Sequence, residues 1–197
     1  MKRIARNLAA LVALCALVTA CSRDGRDMSA PSPDQTQSIA IVTTVAEAVG
    51  TGTGFSITTP WADGGAIDAM FTCTGGSVSP SITFSKIEPD IVSLAVSLVD
   101  ETAGSAVHWI VANIDVTQPT LSENAVPVGA IQAINVAGTT GYHAPCAPAG
   151  QTHTFRLTGY GLPQQLDLPD GTDSTTLINA IELAALDTVS NTFVVAG

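Results

Sequence analysis

From Val92 to Val99 the chain alternates without a break: Val92, Leu94, Val96 and Leu98 fall on one face, and Ser93, Ala95 and Ser97 on the other. A period of two marks a strand, and here the face opposite the apolar one carries only small side chains. Other β-branched and apolar runs sit between turn signals: F-S-I-T from Phe55, A-M-F-T-C from Ala69, S-I-T-F from Ser81, V-H-W-I-V-A-N-I from Val107 and T-F-R-L-T from Thr154. All read as strands, with W-A-D-G-G, G-G-S-V-S-P and T-A-G-S as turns. The chain is therefore expected to be mainly β.

One helix stands out near the end. Asp173 or Ser174 can cap T-T-L-I-N-A-I-E-L-A-A-L, and Leu177, Ile178, Ile181, Ala184 and Ala185 then share one face with Asn179 and Glu182 off it. F-V-V-A from Phe193 reads as a closing strand or tail. No period of twenty to fifty residues recurs, so a repeat architecture is excluded.

The first twenty residues do not belong to that fold. Lys2, Arg3 and Arg6 precede an apolar run from Leu8 to Val18 that is too short to span a bilayer and fits a secretory signal. The run ends in V-T-A-C, which resembles the lipobox of bacterial lipoprotein signals, with Cys21 as the lipidated mature N-terminus. A plain signal cut near Ala20 is the alternative. Ser22 after that cysteine favours the outer membrane, by analogy with enteric bacteria, and acyl chains would supply the anchor.

Cleavage removes three of seven basic residues and none of seventeen acidic ones, so the charge moves from −10 to −13. A field of that sign repels phosphate backbones and anionic lipid surfaces, which argues against nucleic acid as a partner and against a polybasic membrane contact. Residues 21–54, with P-S-P-D-Q-T-Q and G-T-G-T-G, read as a flexible tether. Ile39 to Val49 interrupts it as a short strand or helix. Residues 55–197 are long enough for one domain with a sizeable core. With Cys15 lost and Cys21 assigned to lipid, Cys73 and Cys146 remain, either as one disulfide or as two reduced thiols.

The histidines fall in two short stretches. D-E-T-A-G-S-A-V-H-W joins Asp100 to His108 and Trp109 through a hairpin that can bring the carboxylate to the imidazole. G-Y-H-A-P-C-A-P-A-G-Q-T-H-T-F holds a loop stiffened by prolines, able to turn backbone N–H groups toward an anion, and then His153 at a strand start. His143, within the loop, reads as a surface residue.

Five ordered segments carry a family resemblance: F-T-C-T-G-G-S-V-S-P-S-I-T-F, L-V-D with its hairpin, H-W-I-V-A-N-I, G-Y-H-A-P-C-A-P-A-G-Q-T-H-T-F, and the late helix. From Phe55 to Gly197 the chain resembles the phosphatidylethanolamine-binding proteins, in their bacterial Raf kinase inhibitor-like branch. The resemblance implies a large central antiparallel sheet, a smaller second sheet and a C-terminal helix, with a pocket for a small anion or phospholipid head group. It implies Asp100, His108 and His153 as pocket walls, Trp109, Pro145, Cys146, Ala147 and Pro148 nearby, and Ser79 and Pro80 as support. The sequence departs from the family pattern at the site. The acidic turn lacks its second aspartate and its proline (Thr102, Gly104), a glycine and a proline are replaced by Ala144 and Ala147, and Phe155 stands where a tyrosine is usual.

These observations predict a non-enzymatic, lipid-anchored binding protein of the cell envelope, without a cofactor, that takes an anion more tightly near pH 5.5 than near pH 8. Two other functions fit the same residues. One is an inhibitor or regulator of a protease or other envelope protein. The other is a metal-dependent hydrolase using Asp100, His108 and His153 as a two-histidine, one-carboxylate site. No G-x-S-x-G supports a serine hydrolase.

Overall fold

A computed structural model describes residues 46–49 and 54–197. The signal, Cys21 and the tether apart from 46–49 and Gly54 lie outside the described residues. Eleven strands and one α-helix are described: β1 Ala46–Val49, β2 Ser56–Thr59, β3 Gly65–Ala66, β4 Ile82–Ser85, β5 Ser93–Asp100, β6 Ala106–Asp115, β7 Thr120–Leu121, β8 Ile131–Ile134, β9 Thr152–Leu162, β10 Thr172–Asp173, α1 Ser174–Ala184 and β11 Asp187–Ala196. The stretch whose periodicity left helix and strand open thus contains a strand, β1, which pairs antiparallel with β2.

Two sheets form, in the orders β1-β2-β4-β7 and β10-β8-β6-β5-β9-β11-β3. The larger is antiparallel except for its two-residue edge strands, since β10 runs parallel to β8 and β3 to β11. Leu94, Val96 and Leu98 of β5 join Phe155 and Leu157 of β9 against Ile57 and Phe84 of the smaller sheet. Gly159 lets the sheets close, because a Cβ there would lie 2.9 Å from Ile57 Cγ2 and Phe84 Cε1. A buried polar chain ties the layers: Trp61 Nε1 donates to Asn191 Oδ1 at 2.8 Å, and Asn191 Nδ2 donates to Thr59 Oγ1 at 3.1 Å.

The small-residue face of β5 is buried as well. Ala95 lies in a second core with Ile110, Ala112, Tyr160 and Leu162, covered by Leu177 and Ile181 of α1. Small side chains there let the helix sit close to the sheet. Asp173 caps α1 by accepting from Thr176 N at 3.1 Å. Layer order is therefore small sheet, large sheet, helix.

Two expectations need correction. A-M-F-T-C is not a strand: Ala69–Phe71 forms a 3-10 helix, because the Asp68 side chain accepts from Met70 N at 2.8 Å and starts the turn. Val92 lies outside β5 and is about half exposed, so the buried apolar face begins at Leu94.

Candidate functional site

The alternation that places Leu94, Val96 and Leu98 between the sheets also places Asp100 there, at the end of β5. On β9 the same face carries Phe155, Leu157 and, near its start, His153. Asp100 is 2 % exposed and His153 8 %. Asp100 Oδ2 accepts from His153 Nδ1 at 2.6 Å, while Oδ1 accepts from Thr102 N at 2.9 Å and Ala103 N at 3.1 Å. One carboxylate thus shapes the hairpin turn and orients an imidazole. With Nδ1 committed, the other nitrogen of His153 is the one available to a ligand; it lies 3.4 Å from Gln151 Oε1.

His108 reaches the same face through a break in the alternation. Leu98 pairs with Trp109 but Val99 with Val107, leaving His108 as an extra residue of β6. Val107 and Ile110 both pack on the helix side, whereas Trp109 lies between the sheets. The bulge turns His108 with Trp109 toward the sheet interface, where its ring meets Phe155 edge-on at 5.1 Å.

Asp100 does not orient His108, as the hairpin suggested; it holds His153. The His108 ring is held by the loop: Nδ1 donates to the His143 carbonyl at 3.0 Å, and His143 N donates back to the His108 carbonyl at 2.9 Å. The neutral ring therefore keeps its lone pair on Nε2. Burial lowers the His108 pKa below its ordinary value; the bond to the His143 carbonyl opposes this, the nearby His143 and His153 add to it, and Asp100 opposes it.

His143 is not a bystander at the surface. It is only partly exposed, and its ring centre lies 5.2 Å from that of His108. Phe155, fully buried and stacked on Phe193 at 5.3 Å, forms an apolar floor 6.4 Å from His153. Where a tyrosine would supply a hydroxyl, the floor offers none. The sequence places His153 at a strand start and the resemblance puts it in the pocket, whereas His143 lies in a loop that has no period to mark its direction.

The loop is anchored from several directions. Cys73 and Cys146 are bonded, with a Cα–Cα separation of 5.4 Å, which settles the open cysteine pairing. Cys73 N donates to the Pro145 carbonyl at 3.0 Å, and the Tyr142 hydroxyl donates to the Phe71 carbonyl at 2.6 Å. Burial pushes that hydroxyl far above the usual tyrosine range. Pro145 is buried, Ala147 partly buried, and Cys146 and Pro148 exposed. Trp109 supports the site from the core, donating to Gln132 Oε1 at 3.0 Å and packing edge-on against Tyr142. Ser79 holds Asn124, whose N–H it accepts at 3.1 Å, and Pro80 is buried.

Among the described residues no three His, Cys, Asp or Glu side chains are placed to hold a metal ion. Both oxygens of Asp100 are engaged, one by His153 and the other by the turn amides. The site can offer imidazole donors and acceptors over an aromatic floor, in a setting that resists positive charge on His108.

This fold and site define a known class. The family described as phosphatidylethanolamine-binding protein matches residues 57–195, and the chain belongs to it. A Mycobacterium tuberculosis protein named as a lipoprotein, LppC, is 37 % identical over 127 residues, which cover 64 % of this chain and 63 % of LppC. A UPF0098 protein of Methanothermobacter thermautotrophicus is 34 % identical over 127 residues, covering 61 % of this chain and 83 % of that protein. Among solved structures, the Escherichia coli family member YbcL superposes with a TM-score of 0.67 at 24 % identity, over 73 % of this chain and 98 % of YbcL. The Chlamydia trachomatis homologue CT736 superposes with a TM-score of 0.63 at 26 % identity, over 70 % and 93 %.

Proposed function

We propose that this chain is a lipoprotein of the cell envelope, acylated at Cys21 and facing the periplasm from the outer membrane. Its β domain holds a small phosphoryl anion or phospholipid head group at His108, His143 and His153. It acts by binding rather than by catalysis. Family membership and the lipoprotein name of LppC support this reading. The observation that carries it is the Asp100–His153 bond, because a carboxylate that fixes Nδ1 leaves Nε2 poised for a ligand.

A protonated His108 would present Nε2–H to an anion. Burial opposes that proton, so binding strengthens as pH falls below the ordinary histidine value and is weak above it. Calorimetry of the mature protein with inorganic phosphate and with O-phosphorylethanolamine tests the idea. Affinity should be higher at pH 5.5 than at pH 8 and should be lost in His153→Asn and His108→Asn variants that remain folded. Equal affinity at both pH values and in both variants would overturn the reading. Labelling with palmitate, abolished by Cys21→Ser, tests the anchor.

A further inference from the structure

A second concavity, of about 300 Å³, lies on the opposite face of the large sheet, between its strands and α1. This is at the lower end of small-molecule pockets, which run from about 300 to 1,000 Å³. Ser97 and Val99 of β5 and Arg156, Thr158 and Tyr160 of β9 are the residues that alternate away from the histidine site, so the two sites share strands but no side chain.

The walls divide by chemistry. Val99, Val107 and Ile178 are partly buried and form an apolar lining. Ser97 and Tyr160, both nearly fully buried, share a hydrogen bond at 3.1 Å in the floor. The rim is charged: Glu101 is ion-paired with Arg156, and Glu182 of α1 makes no salt bridge among the described residues. Glu182 and Arg156 line the same concavity as Tyr160; burial raises the pKa of the Tyr160 hydroxyl, with Glu182 adding to the rise and Arg156 opposing it. Arg156 and Lys86 are the only basic residues beyond Arg26, so a cation approaching this rim meets an acidic domain.

We propose that this cavity is a second ligand site, taking a small primary ammonium with an apolar body: the body lies on Val99, Val107 and Ile178, and the ammonium meets Glu182. Glu101 is already neutralised by Arg156, so Glu182 is the carboxylate left for the ligand. An anion is disfavoured here, because two carboxylates face one guanidinium.

The test uses the mature protein at pH 7.5 with 2-phenylethylamine as probe and its neutral isostere 2-phenylethanol as control, followed by methyl and amide NMR shifts. The amine should shift Val99, Val107 and Ile178 saturably. The alcohol and the Glu182→Gln variant should bind about fivefold more weakly, as suits a partly solvated ion pair. Thr158→Phe, which fills the cavity from a partly buried position, should abolish the shifts. Glu182→Gln should leave phosphate binding at the histidines unchanged. Equal affinity for amine and alcohol, or shifts at His108 and His153 instead, would overturn the proposal, as would no saturable shift at these three residues.

Discussion

His153 Nδ1 sits 2.6 Å from Asp100 Oδ2, and the other oxygen of that carboxylate closes the turn that follows β5. Ligand orientation and hairpin geometry therefore share one side chain. Replacing Asp100 by Ala strands a buried imidazole N–H and two turn amides. It should cost about 1–3 kcal/mol of stability, the penalty of leaving a buried polar group unmet. Asp100→Asn should cost less, since its side-chain carbonyl can still accept from the turn. Urea denaturation of the two variants checks the order.

His108 makes the fold sensitive to acid. Its folded pKa is depressed, so above about pH 6.5 folded and unfolded chains both hold it neutral, and it adds no pH dependence. Below that value the unfolded chain takes up a proton that the buried ring resists, and stability falls until the folded pKa is reached. Melting curves between pH 7.5 and 5 should show a decline that His108→Gln makes shallower.

The Cys73–Cys146 bond closes a loop with a sequence separation of 73 residues. Chain-entropy reasoning gives about 4 kcal/mol for a loop of that length. A dithiol should lower the melting temperature of the wild type and leave the Cys73→Ala/Cys146→Ala double variant unmoved. Loss of the bond should also weaken phosphate binding, because the bridge holds the loop that positions the His108 ring.

Trp109 is one of the largest fully buried side chains. Trp109→Ala should cost about 3–5 kcal/mol through the cavity it leaves, whereas phosphate binding should persist in whatever fraction stays folded. Thermal unfolding alongside calorimetry separates the two effects.

Most strands and the capped helix are legible because they rest on local periods and caps, whereas the two-sheet layout is legible only through the family resemblance. The run from Leu94 to Leu98 and the Asp173 cap both read directly from the chain. Other features rest on long-range partners. Nothing local marks Ile131–Ile134 as a strand, since β8 exists by pairing with β6. Only F-V-V-A of β11 was visible, because D-T-V-S-N-T is polar and is held by β9 along its length. The structure brings Asp100, His108 and His153, the residues implied by the family resemblance, to one face of the large sheet. The partnership was assigned to the wrong histidine, because sequence proximity favoured His108 while the sheet brings His153 closer. His143 was underrated, because its role depends on backbone bonds to β6.

The extra residue in β6 has an evolutionary corollary. Sheet pairing, core composition and the carboxylate can all persist in a strand one residue shorter, yet if Val107 is the residue lost, His108 takes its place and faces the helix. A single-codon deletion is enough to produce a descendant with this fold and a silenced pocket. Insertion of one codon at the same place could reopen it, so gain or loss of binding among such proteins can precede any change in the residues that touch the ligand.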